Sequence, residues 1–197
     1  MSKPVIYLFR HGETEWNTEG RRQGHKNSPL TSRGKLQAKN NARCLQQNSS
    51  LVEPVIIYSS PLGRAKDTAQ IILNELNISI NSIIFDDRLM ESSFGKWEGL
   101  TDHEVAEQYP DSWQKRKVDR WNTRPPSGES YADVNTRVSE WYKEVKFSPT
   151  TIVICHGLTS RVLRGIYSGF SEQEVFELAE PHVGFFKLSD GIASYIS

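Results

Sequence analysis

The chain is predicted to have an α/β fold, a three-layer α/β/α sandwich around a mostly parallel central sheet. Short, continuous apolar runs recur along the sequence and are typical of strands buried on both faces. Between these runs lie segments whose apolar residues follow a helical spacing. The alternation of the two kinds of segment places helices on both faces of one sheet.

Six segments are predicted as strands, because each is a short apolar run bounded by polar or turn residues. The last two flank Asp190-Gly191, a turn dipeptide, and are predicted to form a closing hairpin. In chain order the six are Val5–Phe9, Val55–Tyr58, Ile83–Phe85, Thr151–Cys155, Gly184–Leu188 and Ile192–Ile196.

Four segments are predicted as helices: Thr31–Gln47, which begins at a capping threonine, Leu62–Leu76, Tyr131–Val145 and Leu158–Ile166. The stretch 94–128 is different, since it is rich in tryptophan and basic residues and ends in Pro-Pro-Ser-Gly. We interpret it as a partly helical insertion over one end of the sheet. The length of 197 residues then suits a single domain over 1–197.

The amino-acid composition narrows the classes of molecule that the protein is expected to bind. The 24 Lys and Arg residues balance 24 Asp and Glu residues, whereas nucleic-acid and membrane-surface binders are usually basic. Two cysteines, Cys44 and Cys155, do not make a disulfide framework. Met1–Pro4 lead directly into the first strand without a signal-peptide pattern, and no apolar run reaches the length of a membrane span. We therefore expect a cytoplasmic enzyme, and leave open whether it is a homodimer.

Polar residues follow three of the predicted strands directly. Arg10 and His11 come after the first strand, Arg64 follows shortly after the second, and His156 follows the fourth. Ligands of open α/β sheets bind at the carboxyl ends of parallel strands. If these strands are parallel neighbours, two guanidinium groups and two imidazoles share one small space, which predicts a bound anion.

The chemistry of these groups favours a phosphoryl group as that anion. Arginine binds phosphate through two parallel hydrogen bonds, and helices that start after Pro61 and His156 would add amide donors. A neutral imidazole is a competent nucleophile toward phosphorus. The leaving oxygen then needs a proton, for which Glu91, shortly before Phe94-Gly95, is the best candidate.

Several motifs resemble the phosphoglycerate-mutase-like branch of the histidine phosphatase superfamily. They occur in the family's order and cover nearly the whole chain. The matching segments are Leu8–Asn17, which contains Arg10-His11-Gly12, then Gln23-Gly24 with Pro29-Leu30-Thr31 and Gly34, Ser59–Leu62 with Arg64-Ala65 and Thr68-Ala69, Glu91 with Phe94–Gly99, Pro126–Ser130, and His156-Gly157.

The resemblance implies a role for each matching residue. His11 would attack phosphorus and become phosphohistidine, and Glu91 would protonate the leaving oxygen and then activate water. His156, counted here with the catalytic residues, would complete a phosphate pocket. The other phosphate-binding residues would be Arg10, Asn17, Arg64 and a backbone N–H of Gly157 or its neighbour. The family implies no metal and no cofactor, and the substrate would be a small phosphorylated metabolite.

Phosphomonoester hydrolysis is the preferred reaction, and a phosphoglycerate mutase that uses the same phosphohistidine is the alternative. The segment Trp121–Pro126 does not match the paired-arginine segment of the mutases closely, which favours hydrolysis. A catalytically dead binding protein is disfavoured by the complete residue set, and a metal-binding protein by the lack of clustered ligands. His25, His103 and His182 are assigned no role, and His182 is of most interest because the family often has a small polar residue there.

Overall fold

A computed structural model of the protein describes residues 5–49 and 51–197. Six strands form one sheet, and each predicted strand is present, with ends that shift by one residue at most. Their bounds are β1 Val5–Arg10, β2 Val55–Ser59, β3 Ile83–Phe85, β4 Thr150–Cys155, β5 Phe185–Ser189 and β6 Ile192–Ile196. The strand order in the sheet is β3-β2-β4-β1-β5-β6.

The pairing of the strands brings their carboxyl ends to the same height in the sheet. β4 lies between β1 and β2 and is parallel to both, and β2 also pairs with β3 in parallel. Ile154 of β4 is opposite Phe9 on one side and Ser59 on the other. Residues that follow these three strands therefore meet at one edge. β5 and β6 are antiparallel to their neighbours and form the predicted hairpin.

Eight helices lie within the described residues. The four predicted ones are present, and Thr31 caps its helix by accepting a hydrogen bond from the Gly34 N–H at 2.9 Å. The bounds are α1 Glu15–Thr18, α2 Ser32–Asn48, α3 Gly63–Glu75, α4 Asp102–Gln108, α5 Pro110–Val118, α6 Tyr131–Glu144, α7 Gly157–Ser168 and α8 Glu172–Glu177. Short 3₁₀ turns occur at Ile80–Ser82, Asp87–Leu89 and Gly95–Trp97.

Two hydrophobic cores lie on opposite faces of the sheet. Side chains alternate along a strand, so that Ile6 and Leu8 of β1 belong to one core, whereas Tyr7 and Phe9 belong to the other. The first core is packed against α6 and α7, and the second against α2 and α3. The predicted three-layer sandwich is therefore confirmed, and continuous apolar strands are explained by burial on both faces.

Residues 94–128 contain one 3₁₀ turn, α4 and α5 and no strand. That this segment is an insertion within one domain stays a prediction. Cys44 and Cys155 are free thiols. No helix within the described ranges is long and apolar enough to cross a membrane. Met1–Pro4, on which the prediction about the amino terminus depends, lie outside the described residues.

Candidate active site

A cavity of about 670 Å³ opens at the carboxyl ends of β1, β2 and β4. Five of the seven predicted site residues line it: Arg10, His11, Asn17, Arg64 and Glu91. The other two, His156 and Gly157, are buried beside it. Residues far apart in the chain thus meet as the parallel arrangement of these strands predicts.

His11 is held in one tautomer. Its Nδ1 lies 2.8 Å from the Gly12 carbonyl oxygen, which can only accept, so that Nδ1 carries the hydrogen. Nε2 then has a free lone pair and accepts a hydrogen bond from Arg64 Nε at 3.3 Å. Burial first, and then the charges of Arg64 and Arg10, hold the pKa of His11 well below its usual 6.5. The ring is therefore neutral near pH 7, as a nucleophile requires.

The side chain of Arg64 is almost fully buried, and three hydrogen bonds hold the residue in place. Nη1 donates to the Lys26 carbonyl at 2.9 Å and Nη2 to the Gly24 carbonyl at 2.7 Å. Its backbone N–H donates to Asn27 Oδ1 at 2.8 Å. Because no carboxylate of the described residues pairs with it, burial lowers the pKa of Arg64 to about 10. A buried, unneutralised guanidinium next to His11 is suited to bind an anion.

The ring of His156 lies beside the ring of His11, the proposed nucleophile, with the two ring centroids 5.1 Å apart. Its Nε2 is 2.7 Å from Ser60 Oγ, while its buried Nδ1 has no hydrogen-bond partner among the described residues. Burial first, and then the charge of Arg64, lowers the pKa of His156 far below 6.5. His156 also precedes α7 as its N-cap residue, without a side-chain cap.

The Glu91 carboxylate caps α7 in place of the His156 side chain. Its carboxylate accepts hydrogen bonds from the backbone N–H groups of Leu158 and Thr159, each at 3.3 Å. The amide of Leu158, one candidate for a phosphate donor, is thus already engaged by Glu91. The Glu91 carbonyl in turn accepts from Arg137 Nη2 at 3.1 Å and from His25 Nε2 at 3.0 Å. Both ends of Glu91 are therefore fixed.

Arg10 is anchored by Glu180, a residue outside the sequence motifs. The Glu180 carbonyl accepts a hydrogen bond from Arg10 Nη1, and its carboxylate pairs with Arg161. The buried Nε of Arg10 has no partner among the described residues. A Cβ at Gly157 would lie 2.5 Å from Glu180 Oε2, so a larger residue here would displace the Glu180 carboxylate. Gly157 thereby permits Glu180 to lie close to Arg10.

Asn17 caps a helix and also lines the cavity. Its Oδ1 accepts from the Thr14 backbone N–H at 3.1 Å and completes a capping box at α1, while the residue also lines the cavity. His182 lies outside the cavity lining, but its Nδ1 donates to the His11 carbonyl at 2.8 Å. His103 is exposed on α4. Of the three unassigned histidines, His25 and His182 thus contact the backbone of proposed catalytic residues.

Within residues 5–49 and 51–197, no three histidine, cysteine or carboxylate side chains are close enough together to hold a metal ion. Seven arginines and Lys117 line the cavity, against three carboxylates, so its net charge favours an anion.

Comparisons with known proteins agree with this geometry. The model of the histidine phosphatase superfamily (branch 1) matches residues 6–188. The chain belongs to that superfamily. It is 35% identical over 161 residues to phosphoserine phosphatase 1 of Hydrogenobacter thermophilus, covering 80% of this chain and 73% of the relative. It is also 31% identical over 180 residues to a 2,3-bisphosphoglycerate-dependent phosphoglycerate mutase of Bartonella tribocorum, covering 87% and 84%.

Among solved structures, this histidine phosphatase is similar to a mycobacterial glucosyl-3-phosphoglycerate phosphatase. The TM-score is 0.77 at 26% identity, with 95% of this chain and 91% of the other covered. The predictions of the family, of its α/β fold and of a phosphatase that acts on a small phosphorylated compound are confirmed.

Proposed function

We propose that the chain hydrolyses phosphomonoesters through a phosphohistidine at His11. The observation that carries this proposal is the fixed tautomer of His11, which leaves the Nε2 lone pair beside the Arg64 guanidinium. Arg10 Nε and His156 Nδ1 are buried nitrogens without a protein partner in the described part of the chain. Arg10 Nε suits a phosphate oxygen, and so does His156 Nδ1 in the tautomer that has its hydrogen there. Asn17, through its amide N–H, and the backbone of Gly157 complete the proposed phosphate pocket.

In the first step, Nε2 of His11 forms a bond to phosphorus while the bond from phosphorus to the ester oxygen breaks. Glu91 gives a proton to that oxygen, and the alcohol leaves. In the second step Glu91 takes a proton from water, the water oxygen bonds to phosphorus, and the N–P bond breaks. The guanidinium groups of Arg10 and Arg64 stabilise the charge on the phosphoryl oxygens throughout. No step uses a metal ion.

Hydrolysis is favoured over mutase activity by the segment Trp121–Pro126, which departs from the mutases' paired arginines. The similarity to mutases in sequence keeps phosphoryl return to the substrate as the second candidate. The balanced net charge supports action on a free small molecule, without nucleic acid or membrane as partner, and we propose the cytoplasm as its location.

Trapping of the intermediate tests the proposal directly. The protein is mixed with p-nitrophenyl [³²P]phosphate and quenched in base within milliseconds, since phosphohistidine is stable in base and labile in acid. We expect label on the native protein and none on His11→Ala, because no neighbouring side chain can replace the nucleophile. His103→Ala, which replaces an exposed histidine outside the cavity, is the matched control and should be labelled normally.

The fate of the label separates the two reactions. When 3-phosphoglycerate is added to the labelled enzyme, hydrolysis releases inorganic phosphate, whereas a mutase returns the label to a phosphoglycerate. Normal labelling of His11→Ala would reject the mechanism. Fast conversion to 2-phosphoglycerate would establish the mutase instead.

A further inference from the structure

The segment 179–184 connects α8 to β5 without regular secondary structure, yet buried side chains hold it at both ends. At its start, Arg164 Nη2 of α7 donates a hydrogen bond to the Ala179 carbonyl at 2.6 Å. At its end, Asn41 Oδ1 of α2 accepts one from the Gly184 N–H at 2.7 Å. Because α2 and α7 lie on opposite faces of the sheet, the segment is fixed relative to both layers of helices.

Between these two ends, the segment contacts two consecutive residues of the proposed site. The Glu180 carbonyl accepts from Arg10 Nη1, and His182 Nδ1 donates to the His11 carbonyl at 2.8 Å. Pro181 lies between the two contact residues, and its ring fixes its own φ near about −65° and restricts the residue before it. Glu180 and His182 are therefore held at a set spacing that matches Arg10 and His11.

The contact from His182 acts on a single peptide group. The His11 carbonyl and the Gly12 N–H belong to the same planar unit. His182 binds the carbonyl end, and Thr68 Oγ1 accepts from the N–H end at 3.1 Å. No other donor in the described part of the chain reaches the His11 carbonyl. Since glycine restrains the backbone least, the orientation of this peptide depends on its two hydrogen bonds.

The orientation of that peptide bears directly on the nucleophile. The Gly12 carbonyl accepts from His11 Nδ1 and thereby fixes the tautomer that frees Nε2. Rotation of the peptide before Gly12 would displace this carbonyl and the ring that it holds. His182 does not line the cavity, although its ring centroid lies 5.5 Å from that of His11. Any effect of His182 on the reaction therefore passes through His11.

An imidazole is suited to this contact because it donates without adding charge. Burial first, and then the charge of Arg10, lowers the pKa of His182 to about 4, so that the ring is neutral near pH 7. Because a carbonyl oxygen only accepts, the hydrogen of the neutral ring lies on Nδ1. A lysine or arginine donor would instead place a further cation beside His11, which Arg10 and Arg64 already face.

We propose that His182 is a positioning residue for the nucleophile. Its hydrogen bond to the His11 carbonyl keeps the His11–Gly12 peptide in the orientation that directs Nε2 toward phosphorus. This inference rests on the proposed function, since it assigns His182 to the step in which His11 attacks the substrate. Loss of the bond slows formation of phosphohistidine from every substrate, whatever its leaving group.

Two substitutions separate the hydrogen bond from the volume of the side chain. His182→Leu removes the donor, whereas His182→Asn places an amide nitrogen about where Nδ1 lies and can still donate. We expect phosphoenzyme formation in His182→Leu to slow roughly 10- to 100-fold, on alkyl and p-nitrophenyl phosphates alike, because the nucleophile is displaced. His182→Asn should restore most of the rate. Rapid-quench labelling measures both, with His103→Leu, at an exposed histidine, as the matched control.

Two inhibitors distinguish positioning from a general loss of structure. Orthovanadate becomes five-coordinate when a nucleophile binds it and resembles the transition state, whereas inorganic phosphate resembles the product. In His182→Leu we expect inhibition by vanadate to weaken by about the same factor as the rate, and inhibition by phosphate by less than about threefold. Urea unfolding checks that the variant is folded, and His182→Ala undergoes the same comparisons if it is not.

A native rate in the folded variant without the donor, or an equal loss of rate in His182→Asn, would overturn the positioning role. A parallel loss of inhibition by vanadate and by phosphate would overturn it as well. None of these results bears on the labelling of the native protein and of His11→Ala, so failure of this inference and failure of the phosphohistidine mechanism are distinguishable.

Discussion

The chemistry of the site depends on the state of single residues, foremost His11. Its identity could be predicted from the motif Arg10-His11-Gly12. Its tautomer could not, because that depends on the Gly12 carbonyl and on Arg64, whose positions follow from the fold. The partner of Arg10, Glu180, was likewise not predicted, since it is 170 residues away in sequence and contributes its backbone carbonyl as well as its carboxylate.

Glu91 permits the sharpest test on the scale of one residue. Glu91→Gln removes the proton donor and keeps one acceptor oxygen, for the N–H of either Leu158 or Thr159. General acid help is typically worth about 10²–10⁴-fold and matters most for a poor leaving group. We expect phosphoenzyme formation from an alkyl phosphate to slow by about that factor, and formation from p-nitrophenyl phosphate far less. Rapid-quench labelling measures both rates.

Glu107→Gln, at an exposed carboxylate on α4, is the control for the loss of one negative charge. If Glu91→Gln slows both substrates equally, Glu91 is not the acid that protonates the leaving oxygen.

Among the helices and strands, those with a strong apolar periodicity could be predicted from the sequence. The buried strands and the long helices α2, α3, α6 and α7 were predicted within two residues of their ends. The short helices α1 and α8 were not, because four and six residues carry too little apolar pattern. Both are instead defined by capping boxes, Thr14 with Asn17 and Ser171 with Glu174.

The start of α6 holds Glu91 in place through an ion pair. Glu129, just before the helix, binds Arg137 through both carboxylate oxygens, at 2.9 and 3.1 Å, and also accepts from the Ser93 N–H. Arg137 donates to the Glu91 carbonyl. The motif Pro126–Ser130 noted in the sequence thus has a positioning role that its residues alone did not indicate.

Glu129→Gln should weaken this support. We expect kcat on an alkyl phosphate to fall roughly 10- to 100-fold, as expected when a catalytic group is displaced by a fraction of an ångström to an ångström. The loss on p-nitrophenyl phosphate should be smaller, because that substrate needs Glu91 less. Arg124→Gln, which breaks the exposed pair with Asp133 at the same helix end, is the control. Equal losses on both substrates would indicate a merely structural effect.

For the whole molecule, the two cores fix the sheet and the level of its strand ends, and thereby bring Arg10, Arg64 and His156 together. This could be predicted from the apolar strands, since parallel neighbours have a shared carboxyl edge. The far wall of the cavity could not. Phe94, Trp113 and Arg116 of residues 94–128 contribute to that wall, and no periodicity in this segment specifies how it packs.

Burial of histidines at this site makes the stability of the molecule depend on pH. Burial first, and then the charge of Arg10, lowers the pKa of His182 from 6.5 to about 4, and the pKa values of His11 and His156 are also lowered. Between pH 4 and 6.5 the unfolded chain therefore binds protons that the folded chain excludes. Stability rises with pH across this window and is lost as the pH falls from 6.5 toward 4.

His182→Asn measures how much one histidine contributes to the pH dependence of stability. An asparagine amide can still donate to the His11 carbonyl but does not titrate, so the free energy of unfolding near pH 7 should change little. Toward pH 4 the variant should lose less stability than the native protein. A shift from 6.5 to about 4 sets an upper limit of roughly 3 kcal/mol on the difference. Urea unfolding at pH 4.5, 5.5 and 7 measures it, with His103→Asn as the matched control. The carboxylates contribute equally to both proteins and cancel. Parallel pH profiles for the native protein and His182→Asn would contradict a neutral, partly buried His182 beside the nucleophile.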